Sequence, residues 1–274
     1  MKRVVFFADI LGFSYLATAN TNLAGDTLGS IATLLSHEDE IARHLQAASW
    51  EQRYALSDSI ILINREVTPA VTAAAEFFFN AHSYNFRHSE VPVLLRGAIT
   101  HGIVKRVPGV FPESVPWNLI GPGVVEAVIM EKTGGKGPRL FVSPNVSNVI
   151  KKSALAWILD AIPGSNSKYP EILWPLPPDP SATSTLAPLI RDFMRSAVRA
   201  FLTVGHNEEA LPHYLGLLHV VTRSLLRLRD LQPEIGEKLC LQSGIGKAVP
   251  RLQDLILQTP SIELQLLTCI EKLL

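Results

Sequence analysis

The sequence predicts an α+β domain over residues 1–180 followed by an α-helical extension over residues 181–274. Three observations carry this expectation. Strand-like and helix-like hydrophobic periods alternate through the first two thirds of the chain. Seven of the 19 prolines then fall between Pro163 and Pro188, which reads as a linker. Beyond it the composition turns to Leu, Arg and Glu, with helical spacing in Leu217, Val221, Leu225 and Leu228 and again in Leu252, Leu255 and Ile256.

Each element has its own signal. Arg3 to Phe7 is a β-branched and aromatic run that ends at Asp9 and Gly12. An amphipathic stretch follows to about Gln46, with Leu28, Ile31, Leu35, Ile41 and Leu45 near helical spacing. Gln52 to Asn64 reads as two short strands around a Ser57-Asp58-Ser59 hairpin. Thr68-Pro69 opens a helix, a capping hydroxyl before proline, that runs through Ala-rich sequence to about His82. Val91 to Thr100 is the next strand, with a turn expected at His101-Gly102 and then a proline-broken loop. Gly121-Pro122 starts a helix, Lys132 to Pro138 is a Gly-rich turn, and Arg139 to Val142 is a strand. Ser143-Pro144 begins a short helix, and Glu171 to Leu176 is a last strand. In the extension, Pro212, Pro233, Pro250 and Pro260 punctuate successive helices.

Composition excludes several classes of function. Twenty-five Lys and Arg balance 25 Asp and Glu, so no general basic face is expected for nucleic acid. That balance leaves room for a local cationic site for a phosphorylated small molecule. The apolar runs Val4 to Phe13 and Ala73 to Phe79 are short and carry an acid, so no membrane span is expected. No secretory pattern follows Met1-Lys2-Arg3, and Cys240 and Cys269 are too few for a disulfide framework or a cysteine zinc site. The expectation is a cytoplasmic protein.

Two acids stand out. Asp9 ends a buried-looking strand, where a carboxylate is costly unless paired or bound to a cation. It could instead cap the next helix. Asp58 lies between Leu56 and Ile60-Ile61, a place where hairpin turns also use Asp routinely. Brought together, the two would offer hard oxygen donors for Mg²⁺ or Mn²⁺. Backbone N–H groups of Gly12 and Phe13 at a helix start would suit a triphosphate.

The blocks FFADILGFS (Phe6 to Ser14), ALSDSIIL (Ala55 to Leu62), LLRGAITHG (Leu94 to Gly102) and WNLIGPGVVEAVIMEKT (Trp117 to Thr133) resemble the four ordered signatures of the class III nucleotide cyclases. The resemblance covers residues 1–178 and implies a ferredoxin-like catalytic domain working as a head-to-tail homodimer with active sites at the interface. It implies that Asp9 and Asp58 hold two divalent ions with the Ile10 carbonyl as a third ligand. One ion would activate the ribose 3′-hydroxyl and the other would hold the triphosphate.

The departures from that pattern bear on substrate. The adenine-reading Lys position falls on Tyr54, or on Ala55, which cannot read a base, and the adenine-reading Asp position on Asn118. A phenol would fill the volume a second purine ring needs, and Asn offers a donor and an acceptor to uracil or cytosine. A strand aromatic and a loop Asn without function is the other reading. The Asn and Arg that stabilise the transition state in the family become Val125 and Ile129. Arg96 is the best substitute cation, against the alternative of a surface Arg on an edge strand. Lys132, Lys136 and Arg139 are explained equally well by a solvated turn.

With both acids kept, the combination is similar to the pyrimidine cyclases of bacterial Pycsar antiphage systems. That similarity implies conversion of UTP, or alternatively CTP, to a cyclic monophosphate that activates a separate effector protein. A dead cyclase fold that senses nucleotide is the competing expectation, motivated by Val125 and Ile129 and opposed by the two acids. Gly134-Gly135-Lys136-Gly137 lacks the Ser or Thr of a phosphate loop, no Gly-x-Ser-x-Gly elbow occurs, and the eight His show no ligand spacing, most of them being expected at the surface. The Leu-rich extension is expected to pack on the first domain.

Overall fold

The computed structural model describes residues 1–44, 50–88, 94–109, 117–161, 167–204, 207–258 and 260–274. In chain order the elements are β1 (Lys2–Leu11), α1 (Phe13–Ala19), α2 (Thr21–His44), β2 (Gln52–Leu56), β3 (Ser59–Asn64), α3 (Val67–His88), β4 (Leu94–Ile103), β5 (Lys105–Pro108), β6 (Trp117–Ile120) and α4 (Pro122–Thr133). They continue with β7 (Leu140–Val142), α5 (Pro144–Ile150), β8 (Leu159–Asp160), β9 (Glu171–Ile172), α6 (Thr183–Thr203), α7 (Leu211–Leu231), α8 (Pro233–Ser243), α9 (Val249–Gln258) and α10 (Pro260–Glu271).

The main sheet has the order β2-β3-β1-β4-β7-β9-β8. Its first four strands are antiparallel and follow the chain as β1, helix, β2, β3, helix, β4. That is the split βαβ arrangement of a ferredoxin-like fold. β7 then adds in parallel beside β4, so β4 is an interior strand and not an edge.

The period of two in the strands sorts their side chains onto two faces. Val4, Phe6, Ala8 and Ile10 of β1 join Ile60 and Leu62 of β3 in the large core, under α3 and its Phe77 and Phe78. Val5 and Phe7 join Ile61 and Ile63 on the opposite face, where Ala127 of α4 covers them. α4 reaches this face because two glycines meet: a side chain on Gly102 would stand 2.7 Å from the Gly123 Cα. Thr100 clamps the same point by donating its hydroxyl to the Gly123 carbonyl at 2.7 Å.

The extension is layered over α3. Phe193 of α6 meets Phe79 and Phe86 of α3 edge-on, at centroid distances of 6.0 and 5.7 Å, and Trp174 at 5.2 Å. A buried ionic seam adds to it: Arg139 pairs with Glu171 at 3.0 Å, and Arg223 of α7 pairs with Asp160. Arg227, one turn further along α7, donates to the main-chain carbonyls of Trp157 and Leu159. One continuous apolar cluster therefore runs from β1 to α10.

The structure corrects several expectations. β4 runs through His101-Gly102 to Ile103 with no turn there. The stretch expected as loop contains an antiparallel hairpin, Lys105–Pro108 with Trp117–Ile120, whose four-residue strands are too short to show an apolar alternation. Pro188 lies inside α6, so the proline-rich stretch ends as helix from Thr183 onward. The strand expected from Glu171 to Leu176 stops at Ile172. Arg139 is 2% exposed, because Glu171 neutralises it inside the sheet edge, and is no part of a solvated turn. His82 and His219 are likewise buried.

Candidate functional site

Strand register sets the site before any side chain is considered. Leu56 lies opposite Ser59, Ser59 opposite Asp9, and Asp9 opposite Arg96. These positions form one row across β2, β3, β1 and β4, at the end of the sheet where β1 runs out. Asp9 shares its face with Phe7 and Val5, so it projects on the side covered by α4. The next row on that face is Tyr54, Ile61, Phe7 and Ala98.

Two bonds fix the acids. Ser59 donates its hydroxyl to Asp9 Oδ1 at 2.6 Å. The Ile10 N–H donates to the Asp58 main-chain carbonyl at 3.0 Å, which ties the hairpin turn to β1 and brings Asp58 beside Asp9. The turn itself is tight, with Ser57 in the left-handed region at φ 56°. Burial pushes the Asp9 carboxyl above the ordinary range; the Ser59 bond opposes this, Asp58 adds to it, and Arg96 and Lys132 pull it back. A half-buried acid that is raised by a neighbouring acid is the environment a cation relieves. The donor set is all oxygen: two carboxylates and the main chain at Ile10. That chemistry fits Mg²⁺ or Mn²⁺. Among the described residues, no cluster of three or more His, Cys, Asp or Glu forms a cage of side chains alone.

Arg96 stands across from Asp9 but is not loose. Glu131 of α4 accepts from its Nε at 2.6 Å and from its second terminal nitrogen at 2.5 Å, and the Gly135 carbonyl accepts from the first at 3.2 Å. Glu131 is 1% exposed, and burial raises its carboxyl while Arg96 lowers it. Glu131 is a site residue that the sequence reasoning missed. Its signal was present: an acid at the apolar helical face that carries Ala127 and Met130.

Gly12 caps α1 in the left-handed conformation at φ 73°, and its carbonyl accepts from Leu16 N–H at 3.0 Å. Gly12 is exposed and Phe13 half-buried, directly after β1. Tyr54 is half-buried against the Val5, Phe7, Ile61 cluster, and its hydroxyl donates to Gln52 at 3.1 Å. Asn118 is half-buried on β6 opposite Val107. No hydrogen bond joins Tyr54 to Asn118 among the described residues. Val125 and Ile129 point outward from α4 and are 56% and 50% exposed. The chain thus brings Asp9, Asp58 and Arg96 together and keeps Asn118 on a separate hairpin.

No family model and no curated protein matches the sequence. The solved structures similar to this chain include nucleotide cyclases. The adenylyl cyclase CyaB from P. aeruginosa is 16% identical with a TM-score of 0.44, over 62% of this chain and 91% of that one. The guanylyl cyclase Cya2 is 11% identical with a TM-score of 0.44, over 63% and 89%. An adenylate cyclase from Trypanosoma brucei in its monomeric state is 13% identical with a TM-score of 0.41, over 54% and 75%. The strand order β2-β3-β1-β4 and its antiparallel register define the ferredoxin-like fold. Among the described residues, no helix is long and apolar enough to cross a membrane.

Proposed function

We propose that the chain is a class III nucleotide cyclase that converts UTP to 3′,5′-cyclic UMP and diphosphate, with CTP as the alternative substrate. The observation that carries the reading is the convergence of Asp9 and Asp58 at one end of a ferredoxin-like sheet, with the Ile10 main chain between them. Asp9, Asp58 and the Ile10 carbonyl would hold two divalent cations, Mg²⁺ or Mn²⁺, which lower the pKa of the ribose 3′-hydroxyl and neutralise the triphosphate.

In the reaction the 3′ oxygen attacks the α-phosphorus, the bond to the bridging oxygen breaks, diphosphate leaves, and the 3′ proton passes to solvent. The chain's own residues position these atoms. Ser59 holds Asp9 in one rotamer. Glu131 and Gly135 fix the guanidinium of Arg96, leaving part of its five donors for the phosphates. Gly12 and Phe13 offer main-chain N–H groups where β1 gives way to α1. Tyr54 and Asn118 of a second copy would shape the base pocket: the phenol limits it to one ring, and the amide pairs with the pyrimidine edge. A homodimer is supported by the apolar side chains left outside on and beside α4, Val125, Ile129, Ile120 and Ile103, all about half exposed. The cyclic product would act as a second messenger in antiphage defence through a separate effector.

A second reading has its own observation. Val125 and Ile129 supply no polar group where the resemblance places Asn and Arg, which favours a cyclase fold that binds nucleotide without turnover. Asp58→Ala separates the two. On the enzyme reading it abolishes Mn²⁺-dependent formation of a cyclic nucleotide; a protein that binds nucleotide but never turns it over, with or without Asp58, contradicts that reading.

A further inference from the structure

The helical extension carries a feature that the cyclase chemistry does not use. On the outer side of α6, Arg191, Arg195 and Arg199 recur every four residues and so share one face. They line a cavity of about 480 Å³ whose far wall is the end of α8, Leu241 to Gly244, and Lys247 in the turn that follows. Gly244 takes the left-handed conformation at φ 73°, which turns the chain back so that Lys247 lines the same cavity. Val198 and Leu202 make the apolar floor, and Gln242 adds an amide.

Charge is what sets this cavity apart. The whole chain is balanced, yet four cations converge here and no Asp or Glu lines the cavity. Arg191 is paired, with its neighbour Asp192 at 2.9 Å. Among the described residues Arg195, Arg199 and Lys247 have no such partner. Like charges held together repel, and an anion bound among them relieves that repulsion. The three arginines span about 12 Å along the helix, and their planar forks match phosphate oxygens in pairs. No aromatic side chain lines the cavity, so nothing is present on which a base would stack. The volume falls in the range of small-molecule sites.

We infer that this cavity between α6 and the α8 turn is a binding site for a small molecule carrying two or more phosphate groups, read through its phosphates. The site stands apart from the Asp9–Asp58 row. The same helix that carries the arginines turns Phe193 inward onto Phe79, Phe86 and Trp174, so an occupant bridging α6 to α8 braces the extension against α3.

The test uses the full chain in EDTA, which keeps any metal-dependent nucleotide site silent, and titrates it calorimetrically with sodium tripolyphosphate. Saturable binding at one site per chain is expected, weakening as salt rises. R195A/R199A weakens it at least about tenfold, and K247A on the opposite wall weakens it too, while D9A leaves it unchanged. Arg195 and Arg199 are exposed, and circular dichroism confirms that the variants remain folded. Three results overturn the site: no saturable binding at millimolar tripolyphosphate, equal binding by folded R195A/R199A, or equal affinity for a poly-glutamate peptide. Because the titration contains no metal, its outcome is independent of whether the chain is a cyclase.

Discussion

Removing Arg96 without touching Glu131 is the sharpest perturbation of the site. Glu131 is 1% exposed and takes two N–H bonds from the Arg96 side chain, which is itself 11% exposed. Arg96→Met keeps the apolar stem and deletes the charge. The carboxylate then stays buried with its partner gone, and breaking a buried pair in this way costs about 3–5 kcal/mol. Glu131 already has a carboxyl raised by burial, and Arg96 is the first influence that lowers it. In R96M that carboxyl rises further. A folded pKa above the unfolded value binds the proton more tightly when folded, so the loss is least at low pH and grows as pH rises through the folded pKa.

Urea unfolding at pH 5 and pH 8, followed by tryptophan fluorescence, reads both quantities. R96M should lose about 3–5 kcal/mol at pH 8 and distinctly less at pH 5. The double variant R96M/E131L, which removes both charges, should recover most of the loss. Wild-type stability in R96M at pH 8, or a double variant no more stable than the single one, would refute the buried-pair argument.

Two further outcomes follow from the same packing. His82 is fully buried, its ring bonded to the Phe78 carbonyl and to the Leu95 N–H, and burial holds its pKa at about 4 against 6.5 unfolded. Its unfolded form binds the extra proton, so its share of stability is complete above pH 6.5 and falls away toward pH 4, by about 3 kcal/mol at most. Denaturation midpoints of H82Q and the parent across that range should converge as pH falls; parallel curves contradict the assignment. Gly102→Ala would set a methyl 2.7 Å from the Gly123 backbone, forcing α4 off the sheet at a cost of about 1–3 kcal/mol. Differential scanning calorimetry measures that loss, and an unchanged Tm rules out the close approach.

Much of the frame was legible because its signals are local. Runs of β-branched and aromatic residues specified β1 and β3, and Ser57-Asp58 specified the hairpin between β2 and β3. Prolines opened the later helices, with Pro212, Pro233 and Pro260 in the first turn of α7, α8 and α10. Signals that need a distant partner were not legible. Arg139 and Arg223 look like surface cations until Glu171 and Asp160 are brought opposite them. Pro188 reads as a breaker, yet α6 tolerates it near its start because the apolar face of Ile190, Phe193, Met194 and Ala197 is buried. Arg96 reads as an edge residue until β7 pairs beyond β4.

The candidate site divides along the same line. Asp9 and Asp58 announce themselves as acids in apolar strands, and pairing of adjacent strands brings them together. Glu131 arrives from a helix that packs across the sheet, so only the packed structure shows that it holds Arg96. The cationic cavity was hidden for a related reason: its arginines sit on one helix and Lys247 on another, inside a chain whose charges cancel overall.

The proposed activity, synthesis of a cyclic pyrimidine nucleotide, is read directly from its product. The direct measurement incubates the purified protein with each of the four nucleoside triphosphates and Mn²⁺ and identifies the products by mass spectrometry. The expected main product is 3′,5′-cyclic UMP, lost in D9A. Cyclic AMP as the sole product would contradict the pyrimidine assignment, and no cyclic nucleotide from any of the four would contradict the enzyme itself.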